Sequence, residues 1–312
     1  MKSRMHGSFR IYRSILLAGF GVVLVAGCGA STRPDPGPPP CPVIDRVEIV
    51  GRVVSPEIRE VSGLVASRAQ PDVLWVHNDS GDLPRLFAIH TDGSLRGTFL
   101  LEATARDWED MAIGPGPRRG QQYLYLADIG DNFSQRDSIQ IHRFAEPEVD
   151  GADHQIAASE IVTMDLTYPD GAHDAETLLV DPETGDLLIV IKTLYAPGPS
   201  LVYRLSAEAQ TRGDTVLELV GEANLEGGDF TTGGDISPDG REILVRGYVG
   251  ARLWRRTRRQ SVAEALAGEP CEVPVVGVPE EPQGEAIGFS PDGKSYLTLS
   301  EGLDQPIYQY SR

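Results

Sequence analysis

The chain has 312 residues and carries 28 Lys or Arg against 46 Asp or Glu, which gives a formal net charge of −18 at pH 7. This acidity excludes a nucleic acid polymer as a partner, because proteins bind phosphate backbones by neutralising them with Lys and Arg. It favours cation binding or a self-repelling surface instead, and the hydrophobic content of 40% still allows a large core.

The N-terminal segment has the pattern of a bacterial lipoprotein signal. Basic residues precede an apolar run over residues 15–25 that is too short to span a bilayer, and small residues stand directly before Cys28. The pattern predicts a signal peptide over residues 1–27 and a lipid on Cys28 that anchors the protein to a membrane. Gly29, in place of Asp, favours the outer membrane of a Gram-negative envelope, with the protein facing the periplasm or the cell surface. The alternative is an ordinary signal peptide followed by an incidental Cys.

A proline-rich segment follows the lipidated Cys. Residues 28–42 show no apolar periodicity, so they are predicted to form an extended, partly stiff tether. Cys41 and Cys271 are the two remaining cysteines, and an exported protein meets an oxidising compartment, which favours one disulfide between them. This bond would close a loop of about 230 residues. Two buried free thiols are the alternative.

From residue 43 onward the sequence repeats one unit. Each copy has an apolar strand, a turn of Pro, Asp and Gly residues, and a returning apolar strand, and most copies add a third strand. The first strands begin at residues 62, 109, 176, 232 and 285. One helix is predicted, at Ser261–Ala267. Repeats of about 50 residues with short strands predict an all-β fold, a five-bladed β-propeller over residues 43–312.

The last repeat is incomplete and indicates how the ring closes. It ends after its third strand at Arg312, whereas residues 44–54 form a strand that belongs to no copy. The N-terminal strand is therefore predicted to complete the last blade, which removes the open edges of a linear array. A β-sandwich and a six-bladed ring with one degenerate blade are the alternatives.

Oxygen-bearing side chains occupy the same position in every repeat, at the start of the first strand, which lines the central channel of a propeller. They are Ser62, Glu109, Glu176, Thr232 and Glu285. Carboxylates about 5 Å apart would repel by roughly 3 kcal/mol per pair at an effective dielectric near 20. A hard cation resolves this repulsion, and Ca²⁺ suits several flexible oxygen ligands. The alternative is that these residues bind channel water and one carboxylate is protonated.

The inner-strand motifs resemble those of a known family. They read EVSGL (60–64), DWED (107–110), DAET (174–177), FTTGG (230–234) and QGEAI (283–287). This series is similar to the motifs of the calcium-activated nucleotidases, the apyrase-type five-bladed propellers, in which Ser, Glu, Glu, Ser and Glu surround a central calcium. The resemblance implies the same ligand role for the five residues named above, with Thr232 in place of one Ser. Calcium-bearing phytase-like propellers share these features.

A second set of residues follows the second strands, at the face of the ring where the glutamates begin. The predicted ligand-binding residues are Asn78, Asp79, Asp82, Asp128, Asp131, Asn132, Lys192 and Arg246. The loop HNDSGD (77–82) is similar to an acidic catalytic loop of the nucleotidases, which makes Asp79 a catalytic candidate beside Asp131. Lys192 and Arg246 would face an anionic group of the ligand. Asn, Asp and Gly are also ordinary turn residues, which is the alternative explanation.

Two functions fit these observations. One is a calcium-centred binding module whose ligand is a small molecule or another envelope protein. The other is a calcium-dependent hydrolase of phosphate esters or nucleotides, in which an upper-face carboxylate activates water. The sequence favours the binding module slightly, because the residues needed for nucleotide recognition cannot be matched one by one.

Overall fold

The computed structural model describes residues 39–193, 200–225 and 230–312. The predicted signal peptide, Cys28 and most of the predicted tether lie outside these residues. The strands are β1 (Arg46–Arg52), β2 (Val61–Ala66), β3 (Leu74–Asn78), β4 (Arg85–Ile89), β5 (Leu95–Leu101), β6 (Trp108–Pro115), β7 (Gln122–Asp128), β8 (Ile139–Ala145), β9 (His154–Ile156), β10 (Val162–Leu166), β11 (Ala175–Val180), β12 (Leu187–Ile191), β13 (Ser200–Leu205), β14 (Glu218–Ala223), β15 (Thr231–Ile236), β16 (Glu242–Gly247), β17 (Ala251–Arg255), β18 (Cys271–Val273), β19 (Gly284–Phe289), β20 (Ser295–Ser300) and β21 (Pro306–Ser311). The helices are α1 (Ala207–Arg212), α2 (Val262–Leu266) and a 3-10 turn at Ala158–Glu160.

These strands form the five sheets of a five-bladed β-propeller, as the sequence predicts. The blades, from the inner strand outward, are β2-β3-β4-β5-β9, β6-β7-β8-β10, β11-β12-β13-β14, β15-β16-β17-β18 and β19-β20-β21-β1. The inner strands β2, β6, β11, β15 and β19 pack side by side around the ring. Four of them are buried along their whole length, and β6 is buried up to its last residue.

The turn chemistry explains why each inner strand reverses into the next strand. In blades 4 and 5 the sequence Ser-Pro-Asp-Gly ends in Gly240 and Gly293, whose φ angles of 70° and 68° lie in the left-handed region that favours Gly. The N–H of each Gly donates to the carbonyl of the Ser three residues earlier, at 2.8 and 2.9 Å. These turns fix the register of the apolar strands that flank them.

The closure of the ring is confirmed. β1 pairs antiparallel with β21 and completes blade 5, with Arg46 opposite Ser311 and Arg52 opposite Pro306. The predicted disulfide between Cys41 and Cys271 is also present, with 5.6 Å between the two Cα atoms. Because Cys271 begins β18, the outer strand of blade 4, the disulfide fastens the segment before β1 to the neighbouring blade.

The spaces between blades are filled by apolar side chains. Between blades 1 and 2, for example, the rings of Trp75 and Phe99 meet edge to face with centroids 4.9 Å apart, and Trp108 is 2% exposed. A large apolar side chain that is fully buried contributes about 1.5–3 kcal/mol. These apolar clusters between the blades fix the positions of the inner strands, which line the channel.

Two elements depart from the sequence prediction. β9 pairs parallel with β5 and adds a fifth strand to blade 1. The helix α1 was not predicted, although Ser206 accepts a hydrogen bond from the N–H of Ala209 at its start and Gly213 ends it in a left-handed conformation. The predicted helix at Ser261–Ala267 is present as α2. Among the described residues, no helix combines the length and apolar character needed to cross a membrane.

Candidate metal centre

A β-bulge lies near the start of the inner strand in every blade. At each bulge the pairing with the second strand skips one residue of the inner strand. The skipped residues are Ser62, Glu109, Glu176, Thr232 and Glu285, and each is at most 5% exposed. A bulge re-aims a side chain out of the regular alternation of a strand. The five residues that the sequence aligns therefore share one backbone geometry at one level of the ring; we call them the axial ring.

The two hydroxyls of the axial ring bind main-chain oxygens of the next blade. Ser62 Oγ donates to the carbonyl of Glu109, and Thr232 Oγ1 donates to the carbonyl of Glu285 at 3.2 Å. Each hydroxyl donates its single proton in this way and keeps its lone pairs. Both can therefore still offer an oxygen to a cation.

A second layer of side chains follows the second strand in four of the five blades; we call it the mouth. Asp79, Lys192, Tyr248 and Glu301 are the residues directly after β3, β12, β16 and β20. Main-chain hydrogen bonds tie this layer to the residues that precede the axial ring: Asp79 N–H donates to the carbonyl of Glu60 at 2.7 Å, and Lys192 N–H to that of Asp174 at 2.9 Å. The mouth is thus positioned by the sheets themselves.

Two mouth residues contact carboxylates of the axial ring. The Lys192 ammonium forms an ion pair with Glu176, and its Nζ lies 5.5 Å from the centre of the Tyr248 ring. Tyr248 donates its hydroxyl to Glu285 Oε1 at 2.8 Å. Burial disfavours the charge of Lys192, but attraction to Glu176 outweighs it and raises the pKa of Lys192. Lys192 therefore stays charged.

Glu109 differs from the other two glutamates. Its carboxylate is 5% exposed and makes no hydrogen bond or ion pair within the described parts of the chain. Burial, followed by repulsion from Glu176, holds the pKa of Glu109 well above its usual range. This group needs either a proton or a cation.

The other acidic groups at this end of the channel also have raised pKa values. Burial raises the pKa of Asp79 to about 6 and, against the attraction of Lys192, that of Glu176 to about 8. Burial and repulsion from Glu285 raise the pKa of Glu301 to about 8, and burial also raises that of Asp107. A cation bound here would lower these pKa values, and the carboxyls that still hold protons would release them to the solvent.

The raised pKa of Glu301 predicts that the metal-free protein loses stability as the pH rises from about 5 to 8. Glu301 holds a proton in the folded state that the unfolded chain has already released, so the free energy of unfolding falls until the pH passes about 8. Melting temperatures in EDTA across this range measure the effect. Glu301→Gln should flatten the slope, and a melting temperature that stays level or rises would contradict the assignment.

Several residues predicted to bind a ligand make hydrogen bonds within their own loops. Asn78 Oδ1 accepts from the N–H groups of Arg59 and Glu60 at 3.1 and 3.2 Å, and its Nδ2 donates to Asp82 at 2.7 Å. Asp82 also accepts two hydrogen bonds of 3.0 Å from Arg85. These contacts fix the loop that carries Asp79.

The corresponding loop of blade 2 is organised around Arg136. Its guanidinium lies 2.8 Å from Asp128, and the main-chain N–H of Arg136 donates to Asp131 at 2.7 Å. The N–H of Asp131 in turn donates to Asp174 Oδ1 at 2.9 Å, whereas Asn132 is exposed. The Asp128 and Asp131 carboxylates therefore have partners that fix the loop.

Arg246, also predicted to face an anionic ligand, has an acidic partner within the protein. It is 1% exposed, forms an ion pair with the equally buried Glu281, and donates to the carbonyl of Ala286 at 3.4 Å. Its charge is used between blades 4 and 5. Lys192 is the predicted anion-facing residue that the structure places at the mouth.

Sequence reasoning missed Asp107, Tyr248 and Glu301 as site residues. Asp107 stands two residues before Glu109, and Asp174 stands two before Glu176, so the repeated pattern Asp-x-Glu in DWED and DAET was the available signal. Tyr248 and Glu301 follow their strands at the position that Lys192 holds in blade 3. Alignment of the strand ends places both residues on the same face as Lys192, but it does not show which side chains they contact.

Comparisons with known proteins add little to this geometry. No family model matches the chain, and no curated protein is similar to it. One similar solved structure is the PQQ-bound form of an aldose sugar dehydrogenase from Streptomyces coelicolor, with 12% identity, a TM-score of 0.45, and coverage of 87% of this chain and 99% of that chain. At this level of similarity, neither the cofactor nor the substrate of that enzyme can be transferred to this chain.

Proposed function

We propose that this protein is a lipid-anchored β-propeller that binds Ca²⁺ in its channel and receives an anionic small molecule or an envelope protein at the mouth. The observation that carries the proposal is the axial ring, in which a bulge in every blade presents a carboxylate or a hydroxyl at the same level. The resemblance of these positions to the calcium ligands of the calcium-activated nucleotidases supports it.

The donor set favours calcium over other ions. The axial ring offers carboxylate and hydroxyl oxygens, without His or Cys, and oxygen donors suit the hard cations Ca²⁺ and Mg²⁺. Ca²⁺ accepts six to eight oxygens in flexible geometry, whereas Mg²⁺ demands a near-ideal octahedron and keeps several waters. Titration calorimetry with calcium tests the proposal: the protein should release binding heat, and Glu109→Gln should abolish it.

The lipid anchor predicts a change of fractionation. Cys28→Ser removes the sulfur that the diacylglyceryl group would occupy, so the variant should be released into the periplasmic fraction or should keep its signal peptide. Mass spectrometry and an alkaline wash of the membranes measure the two outcomes. A cleaved Cys28→Ser variant that remains with the washed membranes would contradict lipid anchoring at Cys28.

A hydrolase of phosphate esters is a second candidate, favoured by Asp79. With a pKa of about 6, raised by burial, its carboxylate is a base at neutral pH while remaining close to the range in which a proton is transferred efficiently. In this role Asp79 would take the proton of an attacking water, and a calcium ion would polarise the phosphoryl oxygen. Lys192 would hold a non-bridging oxygen of the substrate.

The hydrolase candidate predicts calcium-dependent turnover. A panel of phosphate monoesters, diesters and nucleoside triphosphates should include a substrate that is cleaved with calcium and not with EDTA. Asp79→Asn should lower the rate by about 10²- to 10⁴-fold, the usual contribution of a general base. The exposed Glu148, changed to Gln, is the matched control. A panel with no cleavage would leave the binding module as the function.

A further inference from the structure

Three acidic residues form a cluster between blades 1 and 2, above the axial ring. One carboxylate oxygen each from Asp79, Asp107 and Glu109 lies within 4.8 Å of the other two. Asp79 follows β3, Asp107 precedes β6, and Glu109 occupies the bulge of β6, so regular strands fix all three. Glu176 and Glu285 do not belong to this cluster; we call it the upper site.

The partners of the axial glutamates point to a ligand at the upper site. In blade 3 the residue after the second strand is Lys192, which pairs with Glu176, and in blade 4 it is Tyr248, which donates to Glu285. In blade 2 the second strand is followed by Ile129 and Gly130, neither of which has a side-chain donor. Glu109, 5% exposed, is thus left without a donor in the described part of the chain, and it faces Asp79 and Asp107.

Gly130 shapes the other side of this site. A Cβ at Gly130 would lie 2.0 Å from Glu109 Oε1 and 2.5 Å from Asp107 Oδ2, so both carboxylates pack directly against its main chain. The N–H of Gly130 donates to the carbonyl of Asp107 at 3.2 Å, which keeps the two segments together. The absence of a side chain at this position leaves room for two carboxylates that point at one place.

We propose that Asp79, Asp107 and Glu109 bind a second divalent cation, and that the Glu109 carboxylate bridges it to the cation of the axial ring. The inference rests on the proposed function, because the bridge needs the axial ion. The positive charge of one divalent ion and Lys192 is too small to balance the negative charge of the carboxylates in the axial ring and the mouth. A second ion would add positive charge beside Glu109, where no side chain supplies it. Cations that share a carboxylate lie about 3.5–4 Å apart, a spacing that suits an anionic group of the phosphate class bound across both.

The number of bound calcium ions tests this inference. Native mass spectrometry of the purified protein during calcium titration should show two ions. Asp107→Asn and Asp79→Asn should each lower the count to one, Glu285→Gln should retain the upper ion, and Glu148→Gln should retain both. Asparagine replaces either aspartate without a change of size, and circular dichroism checks that the variants fold.

The outcomes separate the two proposals. Two ions, of which Asp107→Asn removes one, support both. A single ion that persists in Asp79→Asn and Asp107→Asn overturns the upper site and leaves the axial calcium intact. A single ion that these variants remove and Glu285→Gln retains supports the upper site and overturns the axial one. No bound ion overturns both.

A charge-neutral variant provides an independent test of the upper site. Gly130→Ala removes no ligand, but its methyl group should push aside the flexible ends of Glu109 and Asp107, so the protein folds and the upper ion is lost. Retention of two ions by Gly130→Ala would overturn the proposed geometry.

Discussion

Calcium should raise the melting temperature of this protein by about 5–10 °C. An ion that binds the folded ring and not the unfolded chain stabilises by RT ln(1 + [Ca]/Kd), about 2.7 kcal/mol when calcium exceeds Kd a hundredfold. A domain of this size shifts by about 2–4 °C for each kcal/mol. Differential scanning calorimetry at pH 8, in EDTA and in millimolar calcium, measures the shift.

Glu109→Gln should affect the melting temperature differently in EDTA and in calcium. The substitution removes one charge of the axial ring without orphaning a partner, since the Glu109 carboxylate has no donor among the described residues. In EDTA the variant should therefore melt at or above the temperature of the unchanged protein, because the burial cost of the carboxylate and then its repulsion from Glu176 are relieved. In calcium it should melt below it. Identical melting curves in EDTA and calcium for the unchanged protein would contradict the axial site.

The blade count and the ring closure could be predicted because the sequence repeats its own turns. Each inner strand is an apolar run that ends in a Pro, Asp and Gly turn, so the starts at residues 62, 109, 176, 232 and 285 mark the blades directly. The added strand β9 could not be found in this way. It is three residues long, and its pairing with β5 joins segments from different repeats.

The axial positions could likewise be predicted, but the partners of their side chains could not. A repeat alignment places Arg246 one residue before the end of a second strand, at the mouth by position. It does not reveal that Glu281, 35 residues later and on the next blade, turns the guanidinium into a buried ion pair. The same limit explains Asn78, whose hydrogen bonds to Arg59 and Glu60 depend on how a loop folds back. The periodicity of the repeats predicts the level of a residue in the ring. Its hydrogen bonds and ion pairs depend on residues outside the repeated pattern.

Asp110 is a buried structural acid next to the proposed metal ligand Glu109. It follows Glu109 in β6, is fully buried, and accepts hydrogen bonds from the N–H groups of Met111 at 2.8 Å, Leu178 at 2.9 Å and Gly234 at 3.2 Å. Leu178 lies on β11 and Gly234 on β15, so one carboxylate joins the inner strands of three blades. In sequence it is indistinguishable from a second metal ligand.

Asp110→Ala should therefore lower the free energy of unfolding by about 3 kcal/mol or more. The change leaves three buried N–H groups without an acceptor, and each such group costs about 1–3 kcal/mol. Chemical denaturation measures the loss. Asp110→Asn keeps one carbonyl oxygen for the N–H groups of Leu178 and Gly234, which share Asp110 Oδ2, so its loss should be smaller.

The response to calcium distinguishes this structural role from that of Glu109. Because Asp110 binds backbone N–H groups of the inner strands, Asp110→Ala should destabilise the protein equally in EDTA and in calcium, whereas Glu109→Gln should destabilise it in calcium alone. Asp165, exposed on the outer strand β10, is the matched control, and its change to Ala should stay within about 0.5 kcal/mol. A loss in Asp110→Ala that appears only with calcium would make Asp110 part of the metal centre, and neighbouring acids one residue apart would then share one function.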